Sequence, residues 1–342
     1  MGVECEIIDY ENEYRKFAHS MGSHAIKELR EKHLYLASRY CAGSLIMRRR
    51  RKRFIDFYDE HLCLTSMRFS SSKEAETLNS EYDKFIVGSD QVWNYENNGN
   101  DFAYLLDFVH DDGKKVSYSS SFGLITIPDG LRNKYIDLLV RIKHLSTRES
   151  YGVQLIEDLT GRRAELVLDP VFLLNKKQWL SVCGDLQKKE KYVLCYTNRP
   201  NQWSDFLNQT RYSIEKLRVY KMTRHLTIKD LVNPSVKVKY SISPMEFISN
   251  IACAELVVTA SFHCIGLSIL LNVPFVAVLT GDQGKDERVL NILRITGLEK
   301  RILNSTMTLD DVNEPIDFGQ VESRVEYHRE KSMDFLRHAL FG

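Results

Sequence analysis

The sequence predicts an α/β fold of two Rossmann-like domains facing a cleft, and three observations carry that reading. Short β-branched runs alternate with helical patterns along the chain, as parallel strands with crossover helices require. The 342 residues exceed what one hydrophobic core usually serves, so two domains are expected. Asp169-Pro170 interrupts the alternation near the middle, and the same pattern resumes beyond it.

Taken in order, the first strand is expected at 5–9, followed by a long, charged, mostly helical stretch to about residue 60. Strands follow at 84–87, 115–119, 144–147 and 165–168, with helices over roughly 129–143 and 150–160. The second series opens at 191–196 and continues through strands near 217–220, 256–258 and 275–278. Ser243-Pro-Met-Glu246 places a capping box and a first-turn proline ahead of the 256–258 strand, which gives that helix a defined start. Residues 321–340 read as an amphipathic helix that packs back on the first half. The expected division is a first Rossmann-like domain at 1–175, a second at 176–320 and the returning helix at 321–342.

Composition narrows the function classes. With 43% hydrophobic residues, 27% charged residues and 47 basic against 46 acidic side chains, the chain is neither disordered nor a polycation that coats nucleic acid. A small-molecule partner is expected. Its seven cysteines are odd in number and form no C-x-x-C pair, which predicts free thiols in a reducing, cytoplasmic compartment. The apolar run 265–279 is broken by Asn272 and Pro274 and is too short to span a bilayer, and no signal peptide is read at the start. Any membrane contact is therefore expected to be peripheral. The basic run 48–53, interleaved with Phe54, Phe57 and Leu62, fits either anionic lipid or a solvated helix face.

The strongest local signal lies at 254–272, where an apolar strand enters a turn carrying Ser261 and His263 and leaves as a helix. Unpaired N–H groups and the positive end of the dipole make such a turn an anion site. His263 is accordingly the first functional candidate, with a capping or core histidine as the alternative reading.

Five ordered blocks carry a resemblance: Tyr82-Asp-Lys-Phe-Ile-Val-Gly-Ser-Asp-Gln-Val-Trp-Asn94, Lys115-Val-Ser-Tyr-Ser-Ser-Ser-Phe-Gly123, Arg148-Glu-Ser150, Leu168-Asp-Pro170 and Ser261-Phe-His263. In order and spacing they resemble the polysaccharide pyruvyl transferase family, over nearly the whole chain. The resemblance implies a glycosyltransferase-B-like fold and transfer of a pyruvyl group from phosphoenolpyruvate to a sugar hydroxyl pair of a capsule, exopolysaccharide or cell-wall precursor. The acceptor would be a sugar or a lipid-linked oligosaccharide. That chemistry needs an acid, a base and donors for a carboxylate and a phosphate, and no metal or other cofactor.

On the resemblance, His263 suits the acid, since an adjacent phosphate favours its protonated form. Asp90 would orient or deprotonate the acceptor hydroxyl, or close an Asx-turn instead. Arg148 would grip a carboxylate through both guanidinium arms, or pair with Glu149 or cap a helix. Ser261, Ser89, Gln91 and Arg288 complete the expected substrate contacts, and Trp93 offers a face to a sugar ring or packs beneath its own loop. Ser119-Ser-Ser121 is either a substrate loop or a polar strand end. The chain departs from the family at Ala260 and Cys264, and the family's opening strand, glycine turn and helix are not found ahead of 2–10. The first domain is therefore expected to lack its first, central strand. A nucleotide-sugar glycosyltransferase and an N-terminally truncated, inactive relative are the alternative readings.

Overall fold

The structure, a computed structural model, describes residues 1–12, 14, 34–183, 186, 190–197, 206, 218–223 and 236–342, with 34–47 described as helical backbone only. In the first half β1 (Ile7–Tyr10) pairs in parallel with β2 (Leu64–Phe69). Strand β2 was not expected: Ser66 and Arg68 interrupt its apolar pattern, and only Thr65 and Phe69 are buried. Between the two strands runs α1 (Leu34–His61); residues 15–33 of the expected helical stretch lie outside the described residues.

Strands β3 (Phe85–Gly88) and β4 (Lys115–Tyr118) form a second parallel ladder. Bridges Val116–His144 and Ser120–Thr147 carry it to β5 (Ser146–Thr147), which pairs in parallel with β6 (Glu165–Leu166). Among the described residues the β1–β2 and β3–β4 ladders are separate. Helix α2 (Asp129–Leu139) ends earlier than expected, whereas α3 (Ser150–Thr160) has the expected bounds, stopped by Gly161 at φ 69°. The core of this half gathers Phe85, Val87, Trp93, Phe122 and Tyr135 beneath α2 and α3.

Beyond α4 (Lys176–Cys183), the second half is one parallel sheet of five strands: β7 (Tyr192–Tyr196), β8 (Arg218–Met222), β9 (Val236–Lys239), β10 (Leu256–Thr259) and β11 (Phe275–Ala277). Their spatial order, β11-β10-β7-β8-β9, is that of a doubly wound sheet, with the winding reversing between β7 and β10. Alternate residues serve opposite faces: Leu194, Tyr220, Val257 and Phe275 enter one core, and Val193, Val219, Val258 and Val276 the other. Strands β7, β10 and β11 are buried on both faces, which is why they read as continuous apolar runs, whereas β9 at the sheet edge alternates valine with lysine.

Helix α5 (Pro244–Ala252) begins at the expected capping box, Ser243 and Glu246 satisfying each other's backbone N–H. Helix α6 (Phe262–Leu271) follows β10, and α7 (Gln283–Thr296) follows β11. Every residue of α6 except His263 is buried, so the imidazole is the one side chain this helix leaves accessible. Helix α8 (Phe318–Phe341) puts Val321 and Val325 into the second core, then reaches the first half. There Ser332 Oγ accepts from Leu168 N at 2.9 Å and Phe335 meets the Tyr118 ring at 6.3 Å. Among the described residues no helix is long and apolar enough to cross a membrane.

Candidate active site at the strand ends

The site is built on backbone that most residues avoid. After Gly88, whose Cβ would meet Tyr118 O at 3.0 Å, Ser89 and Asp90 take φ of 23° and 59°, and Ser119 on the neighbouring strand end takes 57°. Left-handed non-glycine residues cost free energy and persist only where surrounding bonds hold them. Here Ser89 N donates to Tyr118 O, Ser121 N to Asp90 O and Trp93 N to Ser121 O, each at 3.1 Å. The result turns Ser89 and Asp90 toward the second half.

Asp169 is the hub they meet. Its Oδ1 accepts from Val171 N at 3.0 Å, and its Oδ2 accepts from Ser89 Oγ at 2.5 Å and Arg148 Nη1 at 2.6 Å. His263 Nε2 lies 3.8 Å from the same Oδ2. The other arm of Arg148, Nη2, donates to Asp90 Oδ1 at 2.9 Å, and Arg288 Nη1 stands 3.5 Å from that oxygen. Phe262 covers the Arg148 guanidinium at 5.0 Å. Behind it Glu149 accepts from Phe122 N at 3.0 Å and keeps Oε2 3.9 Å from Arg148 Nε.

Burial and charge set the protonation states. Burial alone would push the Asp169 carboxyl up, but Arg148, then His263 and Ser89, hold it below the usual range; the same balance, led by Arg148, holds Asp90 low. Glu149 goes the other way, raised by burial against the pull of Arg148. His263 is lowered, chiefly by burial; Asp169 and Asp90 oppose the shift and the two arginines reinforce it. Burial thus disfavours the charged imidazole, and an anion bound beside it would favour that form.

The structure gathers His263, Asp90, Ser89, Arg148, Ser261 and Arg288 around one point, at the carboxyl end of β10 beside the switch point with β7. Ser261 caps α6, accepting from Cys264 N at 3.5 Å. Three expectations change. Arg148, whose side chain is 1% exposed, has both arms committed to Asp169 and Asp90, so it positions these carboxylates instead of gripping substrate. Trp93 is fully buried: Nε1 donates to Tyr104 O at 2.8 Å and its ring lies 5.1 Å from Phe122, leaving no face for a sugar. Gln91 accepts from Asn94 and Asn97 within its own loop, both at 3.3 Å.

Sequence reading missed Asp169 as a site residue because Asp-Pro reads first as a stop. It also missed the far wall. A cavity of about 690 Å³ opens between Ser89, Asp90, Asp169 and His263 at one end and Phe54, Phe57, Trp179, Tyr196 and Phe247 at the other. Phe54 and Phe57 come from α1, with Arg50 on the same helical stripe. The basic run thus turns partly inward, and Arg53 is taken up by Glu246, which removes two of the cations expected to face lipid.

Fold and site define the class first: an α/β protein with a doubly wound sheet and an anion-directed crevice at its strand ends. A profile of the polysaccharide pyruvyl transferase family matches residues 1–282, so the chain belongs to that family of transferases. Among solved structures it is similar to UDP-GlcNAc 2-epimerase of Methanocaldococcus jannaschii, at 13% identity over 84% of this chain and 88% of that one, with a TM-score of 0.47. It is also similar to S. aureus MnaA bound to UDP, at 8% identity over 86% and 94% of the two chains with a TM-score of 0.44. T4 phage BGT in complex with UDP and Mn2+ gives 12% identity over 85% and 93%, with a TM-score of 0.38. No curated protein matches the sequence significantly.

Proposed function

We propose that this chain transfers the pyruvyl group of phosphoenolpyruvate to two hydroxyls of a sugar in a cell-surface polysaccharide or its precursor, in the cytoplasm. Family membership supports pyruvyl transfer. The observation that carries the donor assignment is His263, the one accessible side chain of α6, at that helix's N-terminus and facing Arg288, Arg148 and two carboxylates. The helix end and Arg288 favour a phosphate dianion there.

The proton balance fits one titrating imidazole. A phosphate dianion beside His263 offsets the burial that lowers its pKa and favours the imidazolium, the acid form. The imidazolium protonates the methylene carbon, the resulting cationic centre is attacked by one sugar oxygen, and the C–O bond to phosphate breaks as the second oxygen adds. Of the two hydroxyl protons, one restores His263 and the other leaves with phosphate. Asp90, whose side chain is 67% exposed and low in pKa, is the base that faces the acceptor. Arg148 and Asp169 hold Asp90 and His263 in register. Acceptor-dependent phosphate release from phosphoenolpyruvate tests the reading: His263→Ala is expected to lower it at least about a hundredfold with the fold intact. Unchanged release in that variant would refute the mechanism.

A further inference from the structure

The proposed acid and base come from different halves of the chain, His263 from α6 and Asp90 from the turn after β3, so their separation depends on how the halves dock. Helix α7 supplies a contact that sets it. Gly284, Arg288 and Asn291 fall at i, i+4 and i+7 and therefore share one face of that helix, while Val289 and Leu293 root another face in the second core. The shared face meets the first half at both ends. A Cβ on Gly284 would lie 2.8 Å from Gly123 O and 3.2 Å from Leu124 Cα, so backbone touches backbone there. Two turns on, Asn291 Nδ2 donates to Arg148 O at 3.1 Å and Asn291 Oδ1 accepts from Ser150 Oγ at 3.3 Å, across 143 and 141 positions of sequence.

Asn291 has no part in the transfer chemistry, yet it is a polar side chain only 8% exposed at the seam between the halves. An amide buried there costs free energy unless both of its ends are matched, and here a carbonyl takes its N–H while a hydroxyl donates to its oxygen. Arg288, one turn earlier, is less restrained. Among the described residues its Nε is buried without a hydrogen-bond partner, and its Nη1 is held to Asp90 Oδ1 by an ion pair at 3.5 Å. The reach of this arginine is therefore set by where the backbone of α7 lies, and that backbone meets the first half on either side of it. Asp286 fixes the entry to the same helix, accepting from Thr280 N and Gly281 N at 2.8 Å each.

We propose that Asn291 is a positioning residue of the active site, fastening α7 to the Arg148–Ser150 segment so that Arg288 stands against Asp90 and beside His263. Gly284 is the second fastening point, where any side chain would hold the halves apart. Asn291 acts through the arginine and not on a reacting atom. The consequence for turnover rests on the phosphoenolpyruvate reading above, and the placement of Arg288 does not.

The His263 imidazole reports that placement without a ligand, because burial first and then the two arginines lower its pKa against the pull of Asp169 and Asp90. Followed by NMR titration, Arg288→Gln should raise that pKa. Asn291→Leu should raise it too, and combining the two should raise it no further than Arg288→Gln alone. Gly284→Ala should shift it in the same direction with the amide intact, and it serves as the second test if Asn291→Leu folds poorly. An imidazole that titrates as in wild type in a folded Asn291→Leu or Gly284→Ala chain, or an Asn291→Leu shift that adds in full to that of Arg288→Gln, would overturn the proposal. In turnover, Asn291→Leu should raise KM for phosphoenolpyruvate about tenfold or more, and Ser150→Ala, which removes only the longer of the two bonds, should raise it less. A wild-type chain that does not bind phosphoenolpyruvate would refute the function proposed above, and the imidazole titration would still decide this inference.

Discussion

Asp169 shows how much one residue governs here. It lies 3% exposed and serves Arg148, Ser89, Val171 and His263 at once. Asp169→Asn leaves the buried Arg148 short of charge and should cost about 3–5 kcal/mol in urea unfolding at neutral pH. Asp90→Asn, at an exposed carboxylate, should cost less than about 1 kcal/mol while lowering turnover. The sign of the pH effect follows from the depressed Asp169 pKa: its contribution is present above the ordinary aspartate value, about 3.9, and is lost as pH falls through the lower folded value. The stability gap between wild type and Asp169→Asn should therefore close on acidification. His263 gives the opposite linkage. Burial lowers its pKa and a bound phosphate raises it, so phosphoenolpyruvate should bind with proton uptake and bind more tightly as pH falls toward the pKa of the unliganded imidazole. Calorimetry in buffers of differing ionisation enthalpy reads that proton; zero uptake at neutral pH would contradict the acid role. Six of the expected side chains meet at this cluster: five follow a strand end or open a helix, and Arg288 lies in the second turn of α7. The sequence did not show that Arg148 is consumed by Asp169 and Asp90, because those partners lie 21 and 58 positions away and only the fold brings them together.

Loops and caps carry the next level of the account. The Ser89–Asp90 turn is backed by a further left-handed residue, Gly123, where an added Cβ would lie 2.4 Å from Gln91 Cδ at φ +60°. Gly123→Ala should lower stability by about 1–2 kcal/mol and turnover with it, because relief requires moving the Gln91 loop. Measuring the thermal midpoint and kcat on the same preparation checks both parts. Element boundaries are legible where local chemistry is strong, as at the Ser243–Glu246 box and the 150–160 helix. Strand β2 is not, since Ser66 and Arg68 break its apolar pattern and leave no long apolar run. The inward turn of α1 was equally hidden. A run of basic residues reads as a solvated face until Glu246, 193 positions from Arg53, is brought against it.

At the scale of the molecule, α8 joins the two halves. Its first turns sit in the second core, and its later ones bond the segment that carries Asp169 through Ser332 and Arg329, the latter donating to Phe172 O at 2.5 Å. Ser332→Ala leaves the buried Leu168 N–H without an acceptor and should cost about 1–3 kcal/mol in thermal or urea unfolding, with phosphoenolpyruvate affinity unchanged. The overall α/β class was legible because strand and helix periods alternate so regularly; the reversal between β7 and β10 that puts His263 at a crevice is a property of strand order, which periodicity does not encode.

The central claim is that His263 and Arg288 form a phosphoenolpyruvate site, and the most direct test is the thermal midpoint with and without phosphoenolpyruvate, beside a panel of nucleotide sugars. At about a hundred times the dissociation constant, a single-site ligand stabilises by about 2.7 kcal/mol, which moves the midpoint by several degrees. The account predicts such a shift for wild type, its loss in His263→Ala and Arg288→Gln, and no comparable shift with nucleotide sugars. A shift produced by a nucleotide sugar and not by phosphoenolpyruvate, or one that survives both substitutions, would contradict it.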